Sequence, residues 1–147
     1  FSFASDDKWK PELDLAIDSR RFEYGNPNFL GIWVMRRSLE LILSIGLDRI
    51  EERVRELTTL LYERVEERGF KVITPKSWRE RAGILSFDIP EPESVRRRLL
   101  ERKIVVNVRD GGTLRAAPHF YNNPQDIETL VDALAEVVLE VGSVARE

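Results

Sequence analysis

Apolar residues recur at every third or fourth position in four segments of the chain, and this spacing predicts amphipathic helices. Glycine follows two of these segments, at Gly46 and Gly69, where it is expected to end a helix. Pro90 and Pro92 mark the approach to a third, shorter helix. The predicted helices cover about residues 28–45, 48–69, 93–102 and 124–141.

Between these helices lie short runs rich in β-branched and other apolar residues, which are typical of strands. Their predicted ranges are residues 70–74, 83–89, 104–108 and 114–117, with a polar loop at 75–81 and a turn at 110–112. The resulting order is two helices, two strands, a helix, two strands and a helix, which indicates an α+β fold. We expect a small, mostly antiparallel sheet with helices on one face.

Two helix starts carry recognisable capping residues. Asn123 is the expected N-cap of the last helix, with Pro124 at its first position and Asp126 near the positive end of its dipole. Asp48 is the expected N-cap of the second helix, and Glu51 lies three residues later, where a capping box needs it. These signals predict where both helices begin.

With 147 residues, 42% apolar and 33% charged, the chain has the composition of a soluble globular domain. The net charge of −3 gives no electrostatic reason to expect nucleic acid or a membrane surface as a partner. The sequence contains no cysteine and one histidine, so we expect no disulfide, no cysteine nucleophile and no metal site. No transmembrane run or signal peptide is visible, so a cytoplasmic location is expected.

The first twenty residues show neither helical nor strand periodicity, although they carry the aromatic residues Phe1, Phe3 and Trp9. We interpret them as the end of a preceding structure that packs elsewhere. A frayed terminus or an artefact of expression explains the same pattern nearly as well.

Three segments, in order along the chain, resemble segments of a known family. Residues 21–28 read R-F-E-Y-G-N-P-N, residues 104–111 read I-V-V-N-V-R-D-G, and residues 114–127 contain L-R-x-x-P-H-F-Y-N-N-x-x-D-I. Together they are similar to the class V aminotransferase family, whose members are pyridoxal-phosphate (PLP) enzymes of fold type I. This family includes cysteine desulfurases, selenocysteine lyases, kynureninases and isopenicillin N epimerase.

The resemblance implies that residues 28–147 are the C-terminal small domain of such an enzyme with its lead-in helix. Residues 1–27 would then be the tail of the large domain and a loop toward the cofactor phosphate. Family members hold PLP as a Schiff base on a lysine upstream of the R-F-E segment, and no lysine here lies in that context. The lysines are Lys8, Lys10, Lys71, Lys76 and Lys103. We therefore expect a PLP-dependent parent enzyme, and a chain that alone is inactive and does not hold PLP covalently.

The resemblance also implies substrate-binding residues. Arg115 matches the arginine that grips the α-carboxylate of an amino-acid substrate through a bidentate fork. Arg109 lies six residues earlier, across the glycine turn, where it could support the same pocket. The alternative for both is an ordinary structural ion pair. His119 is expected to be a structural corner residue rather than an acid or base.

Gly25, Asn26 and Asn28 match a loop that, in the family, reaches the PLP phosphate of the neighbouring subunit, which implies a homodimer. Backbone N–H groups, a polar side chain and a helix N-terminus together suit an anion. The usual threonine is replaced by Asn26, so the hydroxyl is lost. The alternative is that residues 26–28 form only a turn and a helix N-cap.

A cysteine desulfurase needs a nucleophilic cysteine on a loop before the substrate arginine, whereas residues 110–113 bridge this interval without one. The expected parent reaction is therefore amino-group transfer, epimerisation or elimination on an amino acid. Two other hypotheses stay open. One is a non-catalytic α+β domain that binds a small molecule or mediates oligomerisation. The other is a purely structural protein in which the arginines only bridge helices.

Overall fold

The computed structural model describes residues 16–22, 25–109 and 112–144. The predicted tail over residues 1–15, Glu23 and Tyr24 of the R-F-E-Y segment, and the turn residues Asp110 and Gly111 lie outside the described residues. The chain divides into two compact units, Phe1–Ser44 and Ile45–Glu147. The domain boundary between residues 27 and 28 stays a prediction.

The order of helices and strands follows the hydrophobic pattern. The helices are α1 (Phe29–Ile45), α2 (Leu47–Glu67), α3 (Pro92–Glu101) and α4 (Pro124–Val144). The strands are β1 (Lys71–Val72), β2 (Leu85–Asp88), β3 (Asn107–Arg109) and β4 (Thr113–Ala116). Short 3₁₀ turns cover Ser19–Phe22 and Trp78–Glu80. The third strand begins later than predicted. Ile104 and Val106 pack against the core without joining the ladder, and Val105 between them is exposed.

All four strands of the second unit form one antiparallel sheet in the order β1-β2-β4-β3. Strand β4 therefore lies in the interior of the sheet, between β2 and β3, and β3 is an edge strand. α2 packs against β1 and β2, α3 packs against β3 and β4, and α4 packs on both of these helices. The predicted α+β fold with an antiparallel sheet is confirmed.

The core lies between one face of the sheet and the three helices of the second unit. Phe87 and Leu114 point from neighbouring strands into this core and are completely buried. The helices contribute fully buried side chains from their apolar stripes, as the spacing of three and four residues requires. These side chains are Leu57, Leu61, Val65, Val95, Leu99, Val131, Leu134 and Val137.

The start of α4 is as predicted and the start of α2 is not. Asn123 and Asp126 exchange two hydrogen bonds of 3.0 and 3.1 Å between side chain and backbone. The predicted capping box of Asp48 and Glu51 is wrong. Gly46, at φ 96°, turns the chain so that α2 begins at Leu47 without a side-chain cap. The Glu51 carboxylate instead accepts a hydrogen bond from Trp78 Nε1 at 3.1 Å.

Ion pairs join α4 to the two helices beneath it. Acidic side chains recur at every fourth position of α4, so they form one row along the helix. Arginines at the C-terminal ends of α2 and α3 pair with this row. The pairs are Arg64–Glu128, Arg68–Asp132, Arg102–Glu136 and Arg102–Glu140. These arginines have a structural role.

In the first unit, most residues of α1 are apolar and none of its side chains is buried. The exposed large ones are Phe29, Leu30, Ile32, Trp33, Val34, Met35, Leu39, Leu41 and Leu43. Asn28 is the N-cap of this helix, because its Oδ1 accepts the Gly31 N–H at 2.9 Å.

Candidate functional site

Arg115 lies on the central strand β4, on the side of the sheet that faces away from the core. Its neighbours along the strand, Leu114 and Ala116, point into the core, so alternation directs Arg115 to the opposite face. Ser86 of β2 and Asn107 of β3 are its direct partners across the strands. Directly opposed side chains in an antiparallel sheet start about 5 Å apart on one face. Arg115 is therefore flanked by a hydroxyl and an amide.

A second row of polar side chains crosses the sheet beside this first row. Thr113 of β4 is opposed by Asp88 of β2 on one side and by Arg109 of β3 on the other. Lys71 of β1 opposes Asp88 and completes the row. We call the surface made by both rows the polar face. Its members are Lys71, Ser86, Asp88, Asn107, Arg109, Thr113 and Arg115.

Neither guanidinium of the polar face has a side-chain hydrogen bond or an ion pair with any residue that the structure describes. This distinguishes Arg109 and Arg115 from Arg64, Arg68 and Arg102, which all pair with carboxylates of α4. Arg115 is half-buried and Arg109 is exposed. An unpaired guanidinium on a strand offers two parallel N–H donors to an anion, from a backbone that the sheet already fixes.

The connection between β3 and β4 brings the two arginines together. Gly112 adopts φ 78°, a conformation that glycine enters without strain, and its N–H donates to Arg109 O at 3.0 Å. Arg109 opposes Thr113, and Arg115 is two residues further along β4, so the arginines are diagonal neighbours. The Cα atoms of such neighbours are roughly 7–8 Å apart, within reach of long side chains.

Local sequence signals assign no role to Ser86 or Asn107. The sheet puts both beside Arg115. Alternation along residues 85–88 and 107–109 would have assigned them to the non-core face, but only the pairing register brings them opposite one particular residue.

The predicted phosphate-binding residues belong to the first unit. Asn28 uses its side-chain oxygen to cap α1. A Cβ added at Gly25 would meet no atom within 4 Å, so local packing does not require glycine there. Arg21 of the R-F-E segment donates to the carbonyl oxygens of Ile17 at 2.8 Å and Asp18 at 3.2 Å. The roles of Gly25, Asn26 and Asn28 toward a phosphate stay predictions.

Three lysines lie within the described residues, and all three are exposed: Lys71, Lys76 and Lys103. Lys76 Nζ donates to Glu66 Oε2 at 3.1 Å, and this bond raises the pKa of the Lys76 ammonium. A Schiff-base lysine is instead favoured by desolvation, which lowers the pKa of the amine. The exposure of all three lysines does not suit a covalent attachment of PLP.

His119 belongs to the corner that follows β4. Its ring lies 4.8 Å from that of Tyr121 in a stacked arrangement and 4.6 Å from that of Phe120. Its backbone N–H donates to the Asn122 side chain at 2.9 Å. These contacts give His119 a local structural role.

Arg81 anchors the loop between β1 and β2 to α2. Its guanidinium lies over the rings of Tyr62 and Trp78, at 5.8 and 5.4 Å from their centroids. It donates to Thr59 Oγ1 at 2.9 Å and to Lys76 O at 3.2 Å. Burial lowers the pKa of Arg81, which still remains a cation at neutral pH. The stacked guanidinium fixes the loop.

Two features are absent from the part of the chain that the structure describes. None of its helices is long and apolar enough to cross a membrane. No group of three or more histidine, aspartate or glutamate side chains there is arranged to hold a metal ion.

Similarity to known proteins covers most of the chain. Residues 50–134 match the model of the kynureninase C-terminal domain. A probable cysteine desulfurase of Pyrococcus abyssi is 31% identical over 143 residues, which are 88% of this chain and 36% of that protein. The isopenicillin N epimerase of Amycolatopsis lactamdurans is 32% identical over 108 residues, which are 68% of this chain and 27% of that protein.

A solved structure agrees with these matches. The cysteine desulfurase from Thermococcus onnurineus NA1 superposes with a TM-score of 0.76 at 28% identity, covering 87% of this chain and 37% of that one. The chain thus spans about a third of the length of the relatives it matches. It belongs to the kynureninase C-terminal domain family, found in class V PLP-dependent enzymes.

Proposed function

We propose that this chain supplies the carboxylate-binding arginine, Arg115, to a PLP-dependent enzyme that acts on an amino acid. The observation that carries the proposal is the unpaired, half-buried guanidinium of Arg115 on the polar face. A guanidinium offers two parallel N–H donors that match the two oxygens of a carboxylate. Among the described residues, no protein carboxylate occupies those donors.

The setting of Arg115 suits the α-carboxylate of a substrate. Strands β2 and β3 hold β4 from both sides, so the backbone that carries the guanidinium is fixed. Ser86 and Asn107 provide neutral hydrogen-bonding groups next to it, which can complete the shell of a bound carboxylate without repelling it. A substrate held at its carboxylate keeps one orientation about Cα, and this orientation decides which bond at Cα reacts.

PLP, when bound, supplies the electron sink for bond breaking at the substrate Cα. In our proposal Gly25, Asn26 and Asn28 contribute to its phosphate site through backbone N–H groups near the start of α1. The Schiff-base lysine is not among the described lysines, which are exposed. The chain alone is therefore expected to be inactive.

The proposed reaction is amino-group transfer, epimerisation or elimination, because the sequence has no cysteine to carry sulfur. This differs from the names of several relatives, which are probable cysteine desulfurases. We further expect the parent enzyme to be a cytoplasmic homodimer. A non-catalytic domain that binds an amino acid at Arg115 is the second candidate, since it needs the same unpaired guanidinium and no lysine.

The test is a titration of the ¹⁵N-labelled chain with L-glutamine, followed by NMR through the arginine Nε–H and backbone amide signals. We expect shifts centred on Ser86, Asn107 and Arg115. Arg115→Gln should abolish these shifts because the fork is lost. The control is Arg97→Gln, which removes an exposed cation from α3 that has no partner among the described residues, and it should leave the titration unchanged.

Two results would contradict the proposal. Unchanged shifts in Arg115→Gln would place the carboxylate elsewhere. An absence of shifts in the unsubstituted chain would favour a purely structural role for Arg115. The enzyme hypothesis and the non-catalytic hypothesis both predict binding that needs Arg115. An assay of the parent enzyme distinguishes the two hypotheses, because only the enzyme hypothesis predicts that Arg115→Gln lowers kcat/KM.

A further inference from the structure

We infer that the polar face selects an amino acid whose side chain carries a second acidic group, and that Arg109 binds this group. The inference rests on the proposed function, because it takes the α-carboxylate to be bound at Arg115. It adds the chemical class of the substrate and the direction in which the side chain of the substrate lies.

The first observation is the pair of unpaired guanidinium groups. Arg109 and Arg115 are diagonal neighbours on one face of the sheet, and neither has an ion-pair partner among the described residues. Two cations at this separation repel each other, so the two guanidinium groups raise each other's electrostatic free energy when no ligand is bound. A ligand with one anionic group relieves part of this repulsion, and a ligand with two relieves more of it.

The second observation is the asymmetry of charge around Arg115. On the β3 side its diagonal neighbour is Arg109, whereas on the β2 side its diagonal neighbour is Asp88. A carboxylate on the ligand is therefore attracted toward β3 and repelled from β2. Lys71 lies beyond Asp88 and offsets part of its charge on that side. The second acidic group of the ligand consequently points toward Arg109.

The third observation is the neutral character of the path between the two arginines. Asn107 lies next to Arg109 on the same face of β3, and Thr113 opposes Arg109 from β4. Neither side chain carries a charge or a large apolar group. A short chain that links two carboxylates can cross this path without meeting a charge, and the amide and the hydroxyl are available to hydrogen-bond the carboxylates.

The test compares L-glutamate with L-glutamine, which have the same shape and differ by one negative charge. Both are titrated into the ¹⁵N-labelled chain, with the Nε–H signals of Arg109 and Arg115 as separate probes. We expect L-glutamate to bind about threefold more tightly, the gain of one partly exposed ion pair. Arg109→Gln should remove this preference while L-glutamine still shifts Arg115. The control variant Arg97→Gln should keep the preference.

Asp88→Asn provides an independent check of the direction. Removing the repelling carboxylate should strengthen L-glutamate binding more than L-glutamine binding. Equal affinities in the unsubstituted chain, or a preference that survives in Arg109→Gln, would overturn the inference. The proposed function would still stand in that case, provided that L-glutamine binds and Arg115→Gln abolishes its binding. If neither of these two conditions is met, the proposed function and the inference are overturned together.

Discussion

The N-terminus of α4 is held by a reciprocal pair of hydrogen bonds between two residues. Asn123 Oδ1 accepts the Asp126 N–H, and Asp126 Oδ2 accepts the Asn123 N–H. The Asn122 amide also donates to Asp126 at 3.1 Å. The backbone N–H groups of Asn123 and Asp126, which have no acceptor in the preceding turn of a helix, are thereby both hydrogen-bonded.

This cap predicts a dependence of stability on pH. The Asn123 N–H, and then the Asn122 amide, lower the pKa of Asp126 from its ordinary value of 3.8. The stabilisation is therefore complete above pH 3.8 and is lost as the pH falls through the lower pKa of the folded state. We expect Asp126→Asn to be less stable than the unsubstituted chain at neutral pH, with the difference narrowing below pH 3.8.

Urea denaturation at a series of pH values measures this difference. If the difference in the free energy of unfolding between the two proteins stays constant as the pH is lowered, the Asp126 cap is not the cause of that difference. Asn123→Ala removes the other half of the pair and is expected to cost about 1 kcal/mol.

At the scale of elements, the sheet depends on side chains that β2 and β4 send into the core. Phe87 opposes Leu114 across these strands, and both are completely buried against the helices. The same strands direct Ser86 and Arg115 to the other face. Packing of Phe87 and Leu114 on the core face therefore fixes which residues of β2 and β4 oppose each other. This register also places the side chains of the polar face beside one another.

Truncation of Phe87 should test this dependence. Phe87→Ala is expected to lower the free energy of unfolding by about 3–5 kcal/mol, because it removes an aromatic ring and leaves a cavity. Phe87→Leu should cost less, which keeps the comparison measurable if the alanine variant does not fold. The measurement is urea denaturation followed by circular dichroism.

Leu139→Ala is the matched control for these substitutions. Leu139 is 75% exposed on α4, so its truncation should change stability by no more than about 0.5 kcal/mol. Equal losses at Phe87 and Leu139 would contradict the assignment of the core.

Beyond the sheet and its helices, α1 leaves apolar side chains exposed along most of its length. It spans 17 residues and buries none of them, although most of them are apolar. Monomeric proteins rarely leave contiguous apolar surfaces of this kind exposed to water. The ion-pair row along α4, in contrast, is a surface that water solvates readily.

We therefore expect the isolated chain to form dimers or larger assemblies. Leu39→Glu and Leu41→Glu together should shift the distribution toward monomer, because they place charges on the apolar surface of α1. Ser38→Glu is the control, since it adds charge on the same helix without removing apolar area. Light scattering coupled to size exclusion measures the mass. A monodisperse monomer of the unsubstituted chain would contradict the prediction.

Local signals along the chain determined much of this fold. The spacing of apolar residues identified four helices, and the Asn123–Asp126 cap located the start of α4, because both depend on residues within one or two helical turns. The L-R pattern singled out Arg115 for the same reason, because this short segment can be recognised from its own residues.

Tertiary structure decided what the local signals could not. Glu51 had a sequence neighbour suited to a capping box, yet its carboxylate meets Trp78, which is distant along the chain. Ser86 and Asn107 became neighbours of Arg115 only through the pairing of β2, β4 and β3. Strand register is a long-range property set by packing on the core face, so the chain alone names Arg115 but only the folded sheet supplies its surroundings.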